Sequence, residues 1–224
     1  MSAQPVHYEY PSPDAYRPYG PEPQAESEQA ESEQVERRAQ PRLQGSPREI
    51  AEQIESWSDL RVEIIRGTLL MSPTPRRRHA QTVDDLRELL RPCRADGLRT
   101  YENVSIPLPD DPDDYSTPDL LVCPVDMMDS DDWLLAGEDV ELAIEVTSPS
   151  ERPVGIADKI TWYAEARVPV LLYLYPATGK WALYSRPTDE GYRTISQGKY
   201  GEPVPLPDHL GGDMPTKDLP RYER

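Results

Sequence analysis

The chain has 224 residues, of which 37% are hydrophobic, and it carries a formal net charge of −17 at pH 7. This length fits one domain of ordinary size, or one domain and a tail, and the low hydrophobic fraction predicts that part of the chain is not packed. The strong negative charge argues against a simple nucleic-acid-binding module with a generally basic surface.

Cysteine content and hydropathy indicate the cellular compartment in which the protein is expected. The chain has two cysteines, Cys93 and Cys123, which are too few and too far apart for a metal knuckle or a disulfide framework. No run of residues approaches the roughly 18 apolar positions of a membrane span, and the N-terminus lacks the pattern of a signal peptide. We therefore expect a cytoplasmic protein in a reducing compartment, with no membrane partner.

Composition changes near residue 45. Residues 1–45 are rich in Pro, Glu, Gln, Ser and Tyr, contain a tandem AESEQ, and offer almost no aliphatic side chains to bury. This segment is predicted to be a disordered acidic tail, and its tyrosines offer an alternative role in binding a partner. Residues 46–224 are predicted to form a single mixed domain.

The first half of this domain begins with helical and hairpin signals. Residues 46–54, SPREIAEQI, predict a helix capped by Ser46, with Glu49 at the position of a capping-box partner. The sequence RVEIIRGTLLMSP predicts two short strands that turn at Arg66-Gly67. Residues 79–94 carry apolar side chains at helical spacing and predict an amphipathic helix.

The second half continues with strands and one more helix. Residues 98–108, 118–123 and 140–147 each predict a strand. Residues 156–167 predict a helix that ends before Val168-Pro169, and the sequence VPVLLYLYP predicts a further strand. The order of the core is therefore αβββαβ.

Charge is distributed unevenly along this order. Residues 61–100 contain nine arginines and five acids, whereas residues 101–145 contain fourteen acids and no Lys or Arg. Most of these acids lie in the sequences PDDPDD and DMMDSDDW, where turn formation and solvation account for them. Asp119 and Glu145 differ, because each adjoins or interrupts an apolar strand.

Glu145 lies inside the apolar run of VELAIEV, which is typical of a strand buried on both faces. A buried carboxylate costs several kcal/mol unless a cation or hydrogen-bond donors replace its water. We therefore expect a cation beside Glu145. A metal ion would satisfy this requirement, and a buried ion pair with an arginine is the structural alternative.

Asp119 follows a proline and opens the short apolar strand LLV. Neighbouring strands lie about 4.8 Å apart, so Asp119 and Glu145 would converge on one ion if their strands pair. Carboxylate oxygens completed by water and substrate phosphate are the ligands that Mg²⁺ selects. The alternative is an aspartate that caps local backbone after the proline.

Lys159 is one of only four lysines, and it lies on the predicted helix that follows the SPS sequence. Ile156 and Tyr163, three residues before and four after it, place Lys159 at the border of the face that packs on the sheet. An ammonium there could steer a water or neutralise charge developing on a phosphate. A lysine exposed on the surface is the alternative.

A family resemblance rests on the successive sequences TPDLLV, DVELAIEVTSPS and DKITWYAEARVPVLLYLYP. Together they resemble the Uma-two family, restriction-endonuclease-like proteins of the PD-(D/E)XK superfamily, over residues 62–186. The resemblance implies an α/β fold with an αβββαβ core and a mixed central sheet, a divalent-metal site and DNA cleavage. It places the two metal-binding acids at Asp119 and Glu145. The lysine of the superfamily pattern is absent at Thr147, and Lys159 takes its place.

Further candidates lie upstream. Glu63 in the hairpin could join the metal shell, or pair with an arginine across the hairpin. His79 could bind metal or phosphate or relay a proton, or could serve as a capping or packing residue. Arg76, Arg77 and Arg78 form the basic run of the folded part, which could contact a phosphate backbone or be a solvated face.

The sequence thus predicts a Mg²⁺- or Mn²⁺-dependent endonuclease that hydrolyses DNA phosphodiesters, with Asp119 and Glu145 as metal ligands and Lys159 as the third catalytic residue. The resemblance also implies a possible homodimer. The alternatives are a catalytically silent binding module with the same fold, and a protein–protein adaptor that uses the acidic loops and the tail. Because of the acidic surface, either residues 61–99 receive the DNA or the substrate is not ordinary duplex DNA.

Overall fold

A computed structural model describes residues 43–58, 60–92, 97–148 and 153–222. The predicted tail lies outside the described residues except for residues 43–45, and Cys93 lies outside them too. None of the described helices is long and apolar enough to cross a membrane. The helices are α1 (Pro47–Trp57), α2 (Arg77–Leu89) and α3 (Pro153–Glu165).

Strands dominate the described residues and fall into two main sheets and one short pair. The strands are β1 (Arg61–Ile65), β2 (Thr68–Ser72), β3 (Leu98–Tyr101), β4 (Ile106–Leu108), β5 (Asp111–Ser116), β6 (Leu120–Pro124), β7 (Leu142–Val146), β8 (Val170–Tyr175), β9 (Lys180–Thr188), β10 (Gly191–Lys199), β11 (Val204–Pro205) and β12 (Asp213–Met214). One main sheet has the order β2-β1-β5-β4, and the other has the order β10-β9-β8-β7-β6-β3.

Helix α1 begins where the sequence predicts. The Ser46 hydroxyl accepts a hydrogen bond from the Glu49 amide at 3.3 Å, and Glu49 Oε2 accepts one from the Ser46 amide at 2.7 Å. This reciprocal capping box satisfies two backbone donors at the start of the helix, and Pro47 follows it in the first helical turn.

The predicted hairpin is confirmed as β1 and β2, which pair from Arg61 opposite Ser72 to Ile65 opposite Thr68. The two turn residues, Arg66 and Gly67, both have positive φ, at 51° and 70°. Two positive φ values are what a tight hairpin turn with the twist of its strands requires.

The acidic sequence PDDPDD predicts a solvated turn, and this prediction is wrong. Its last four residues begin strand β5 (Asp111–Ser116), which pairs with both β1 and β4. Only the first half of the strand is exposed, while Asp114, Tyr115 and Ser116 are buried. The predicted strand 98–108 is also wrong in detail, because it divides into β3 and β4, which lie in different sheets.

The six-stranded sheet forms the centre of the domain and is mixed, because β7 and β8 are parallel and the other pairs are antiparallel. Along the chain, α2, β3, β6, β7, α3 and β8 follow one another in the predicted αβββαβ order. The predicted mixed α/β fold is therefore confirmed. The β9–β10 hairpin that extends the sheet was not predicted.

The helices cover opposite faces of this sheet. Val83 and Leu86 of α2 pack in one core cluster with Ile144 of β7, whereas Trp162 of α3 packs in another cluster with Ala143. Residues alternate between the two faces of a strand, so Glu145 shares the α3 face with Ala143. The fold thereby directs Glu145 toward the helix that carries Lys159.

Candidate active site

Lys159 is buried against two acidic side chains. Its Nζ lies 2.8 Å from Glu145 Oε1, and 3.0 and 3.2 Å from the two carboxylate oxygens of Glu63. Its side chain is only 7% exposed, so the alternative of a surface lysine is wrong. The cation expected beside Glu145 is therefore an ammonium, and the alternative of an arginine partner is wrong as well.

Glu63 is held by three residues from two parts of the chain. Besides Lys159, the Ser116 hydroxyl donates to Glu63 Oε1 at 2.7 Å and the Thr117 amide donates at 2.8 Å. Burial alone would raise the pKa of Glu63, but the charges of Lys159 and Arg61 and these hydrogen bonds hold the pKa below its ordinary value. Glu63 thus remains ionised, and its partner is Lys159 rather than an arginine across the hairpin.

Glu145 accepts a second hydrogen bond, from Tyr163. The Tyr163 hydroxyl donates to Glu145 Oε1 at 2.5 Å, and the Ser116 and Tyr163 hydroxyl oxygens lie 3.1 Å apart. Burial, together with the negative charges of Asp119 and Glu63, raises the pKa of Glu145 to about 7, although Lys159 opposes the shift. Burial thus outweighs the stabilisation that Lys159 gives to the ionised carboxylate.

Asp119 lies opposite Glu145 at the ends of two paired strands. Leu120 of β6 pairs with Ile144 of β7, and antiparallel pairing continued by one residue brings Asp119 across from Glu145. Asp119 Oδ2 accepts the Val146 amide at 2.9 Å. The capping interpretation of Asp119 is thus partly right, but the capped backbone belongs to the neighbouring strand.

The other oxygen of Asp119 contacts two basic side chains. Oδ1 lies 3.1 Å from His79 Nε2 and 3.5 Å from an Arg61 amino group. Burial would raise the pKa of Asp119, but the hydrogen bond and charge of His79 and the Val146 amide hold the pKa below its ordinary value. In return Asp119 raises the pKa of His79, against the opposing effect of burial.

The basic run lies at the start of α2, beside His79. Arg76 is the N-cap residue, and all three arginine side chains are exposed. Arg78 donates to the backbone carbonyl of Arg221 at 2.6 Å. No described contact joins this run to the buried acids, so these residues border the site rather than form it.

Three residues of the site were not among the candidates. Arg61 lies two positions before Glu63, and in a strand this spacing directs both side chains to one face. Ser116 was missed because its acidic neighbourhood resembled a loop. Tyr163 served only to locate the buried face of the helix, but its spacing of four from Lys159 places both side chains on that face.

The donor set fits a hard divalent cation. Asp119 and Glu145 supply carboxylates at adjacent strand ends, and both described hydrogen bonds to Glu145 end on Oε1 rather than Oε2. Within the described residues, no group of three or more His, Cys, Asp or Glu side chains is arranged to hold a metal ion. Two carboxylates with water and phosphate oxygens are a common ligand set for Mg²⁺.

Comparisons with known proteins agree with this architecture. A crystal structure from Anabaena variabilis, described as "a putative nuclease belonging to DUF820", matches with a TM-score of 0.61 and 15% identity, over 75% of this chain and 96% of that chain. This likeness shows a shared fold. No match was found among curated proteins. The model of one family, described as "Uma2: Putative restriction endonuclease", matches residues 49–214. Because that match spans well over half of the sequence, the chain belongs to the Uma2 family, as its motifs indicate.

Proposed function

We propose that the protein is a Mg²⁺- or Mn²⁺-dependent endonuclease that hydrolyses phosphodiester bonds in DNA. The observation that carries this proposal is the pairing of β6 with β7, which sets Asp119 opposite Glu145 while Lys159 contacts Glu145 at 2.8 Å. Two carboxylates at one point of a buried sheet, with a cation beside them, are suited to hold a divalent ion where a phosphate can approach. Membership of a family described as a "Putative restriction endonuclease" supports the same reaction class.

The chain's own residues would prepare the site for the ion. Asp119 and Glu145 would be its protein ligands, and the ion would supply an activated water and positive charge for the transition state. Tyr163 and Lys159 hold Glu145 Oε1, which orients the remaining oxygen. His79 and the Val146 amide fix the carboxylate of Asp119 in the same way. The site is thus organised before substrate binds.

Lys159 would act mainly through the carboxylates. Its described polar contacts are all to Glu63 and Glu145, and these occupy the three donors of the ammonium. It would therefore balance charge and position Glu145, while Glu63 would hold Lys159 in place rather than bind the ion. This role places the ammonium close to the reacting water without requiring it to leave its partners.

The remaining parts of the proposal concern partners and location. The exposed residues Arg76, Arg77 and Arg78 adjoin His79 and would contact the DNA backbone. Such a local basic patch would offset the overall negative charge near the site. Cys123 is a free, buried thiol, which fits a reducing cytoplasm. The homodimer stays a prediction.

A plasmid-nicking assay tests the proposal. Wild type should nick supercoiled plasmid with Mn²⁺ or Mg²⁺, and chelation by EDTA should stop the reaction. The substitutions Asp119→Asn and Glu145→Gln keep the shape of the side chains and should each lower the rate by about a hundredfold or more. Asp113→Asn is the matched control, because Asp113 is an exposed acid on β5. Nicking that survives both site substitutions would show that another site, or a contaminant, carries the activity.

A catalytically silent binding module is the second candidate. It is favoured by the basic side chains already present, since Lys159, Arg61 and His79 contact all three buried acids of the site. A structural network of this kind would not require a metal ion. Titration calorimetry with Mn²⁺ separates the two functions. A nuclease should bind Mn²⁺, and Asp119→Asn should abolish this binding. A silent module should show no Mn²⁺ binding that depends on Asp119.

A further inference from the structure

Arg61 has the most exposed side chain among the basic residues that contact the buried acids. It opens β1 two residues before Glu63, so both side chains share one face of the strand. Its side chain is 33% exposed, whereas those of Asp119, Glu145 and Glu63 are 8%, 5% and 4% exposed. A molecule that reaches the acids from solvent would therefore meet the Arg61 guanidinium.

The hydrogen bonding of Arg61 is far from complete. Among the described residues, its side chain makes one polar contact, with Asp119 Oδ1 at 3.5 Å, the outer limit of a hydrogen bond. A guanidinium carries five N–H donors in a planar fork that matches two oxygens of a phosphate. Most of the donor capacity of Arg61 is therefore available to a ligand.

The acids of the site do not depend on Arg61 for their hydrogen bonds. Asp119 already accepts from His79 and from the Val146 amide, at 3.1 and 2.9 Å. Glu63 has Lys159, Ser116 and the Thr117 amide as donors. If Arg61 served only as a structural ion pair, we would expect a closer contact with one acid. The observed arrangement instead leaves its guanidinium able to bind an anionic ligand.

Lys159 is poorly placed for the same task. Its side chain is 7% exposed and its three donors are directed to Glu63 and Glu145. To contact a phosphate, it would have to give up a charged contact with a buried carboxylate, which would lose part of its charge compensation. Arg61 can bind a phosphate by giving up only a weak contact.

We propose that Arg61 binds the substrate phosphate through paired hydrogen bonds to its non-bridging oxygens. Arg61 would be released for this contact when a divalent ion binds Asp119. This inference rests on the proposed function and names the residue that recognises its substrate. The ligand class is a phosphodiester. Because the chain carries a net charge of −17, a partly exposed arginine beside the acids should contribute strongly to binding this anion.

Fluorescence anisotropy of a labelled duplex oligonucleotide, with Ca²⁺ in the buffer, measures this binding directly. The full chain is compared with Arg61→Gln, Arg61→Lys and the matched control Arg193→Gln, which removes an exposed arginine from the outer strand β10. Arg61→Gln should weaken binding about tenfold and lower the slope of log affinity against log salt by about one, the effect of one lost phosphate contact. Arg61→Lys should recover part of the affinity, and Arg193→Gln should match wild type.

Mn²⁺ calorimetry and the nicking assay separate the possible failures. Arg61→Gln should keep its Mn²⁺ affinity within about twofold and should raise KM more than it lowers kcat. Equal DNA affinity for Arg61→Gln and Arg193→Gln would overturn the role of Arg61 while leaving the nuclease intact. A loss of Mn²⁺ binding in Arg61→Gln would show that the residue supports the cation site instead. Absence of nicking by wild type would overturn the proposed function itself.

Discussion

The ammonium of Lys159 lies 2.8 Å from Glu145 Oε1, although the two residues come from helix α3 and strand β7. The contact forms because β7 turns Glu145 toward the face that α3 covers, and because Ile156 and Tyr163 place Lys159 on the buried side of that helix. The same ammonium contacts Glu63 of the other sheet. Lys159 therefore connects both main sheets with helix α3. Because its partners Glu63 and Glu145 belong to the candidate site, changes to the site should also change the stability of the fold.

Removal of this ammonium should destabilise the fold strongly. Lys159→Met would leave Glu63 and Glu145 buried without their shared cation, so we expect a loss of about 3–5 kcal/mol in the free energy of unfolding by urea. Lys180→Met, at an exposed position of β9, is the control and should change stability by less than about 0.5 kcal/mol. The double variant Lys159→Met/Glu145→Gln should regain part of the loss. Equal stability of Lys159→Met and wild type would contradict the buried ion network.

Glu145 should make the stability of the protein depend on pH near neutrality. Its pKa is raised from 4.5 to about 7 in the folded chain, so the folded chain holds this proton more tightly than the unfolded chain. The associated stability is fully present below about pH 4.5 and is lost as the pH rises through about 7. Between about pH 5 and pH 8, wild type should lose on the order of 2 kcal/mol relative to Glu145→Gln in urea unfolding. Parallel pH profiles for the two proteins would exclude this assignment.

The pair of His79 and Asp119 should be visible by NMR. Asp119 raises the pKa of His79 above its ordinary 6.5, so the imidazole of His79 should titrate at a higher pH than that of a solvent-exposed histidine. The stability that comes from the raised pKa of His79 is complete below about pH 6.5 and is lost as the pH rises through the raised pKa. The chain has three histidines, and the signal of His79 can be assigned by its absence in His79→Gln. Asp119→Asn should lower the pKa of His79, and an unchanged pKa would show that the pair does not form.

Asp114 should hold the β1–β2 turn and helix α3 together. It accepts the Trp162 indole N–H at 2.6 Å and the Gly67 amide at 3.0 Å. Asp114→Ala leaves the buried Trp162 indole N–H and the Gly67 amide without this acceptor, so urea unfolding should show a loss of about 2 kcal/mol. Asp113→Ala, at the exposed neighbouring position, serves as the control and should have a small effect. If both variants unfold at the same urea concentration, the Asp114 contacts do not stabilise the fold.

The sequence identifies those features that depend on local chemistry or on one strong constraint. The cap of α1 and the turn at Arg66-Gly67 follow from side-chain and φ preferences of a few neighbouring residues, and both are confirmed. Glu145 is recognisable because a carboxylate inside an apolar run requires a cation or hydrogen-bond donors to replace its water. Lys159 follows from helical spacing, which places it on the packed face with Tyr163.

Other features depend on contacts between distant parts of the chain. The acidic sequence around Asp114 has little intrinsic strand preference, and it becomes β5 because β1 and β4 lie on either side of it. For the same reason Ser116 could not be assigned to the site, since its partners Glu63 and Tyr163 lie 53 and 47 residues away. The partner of Glu145 was also ambiguous, because burial requires a cation but does not distinguish lysine, arginine and metal.

The placement of Asp119 across from Glu145 depends on backbone pairing between β6 and β7 and not on the chain that connects them. A change of one residue in that pairing would turn one carboxylate to the opposite side of the sheet, so natural variation there should be rare. The connecting segment around residues 126–132 has no such constraint, and its described side chains are mostly exposed. Insertions, deletions and substitutions in this loop should therefore leave the two acids opposite each other, which makes the loop a suitable place for engineering.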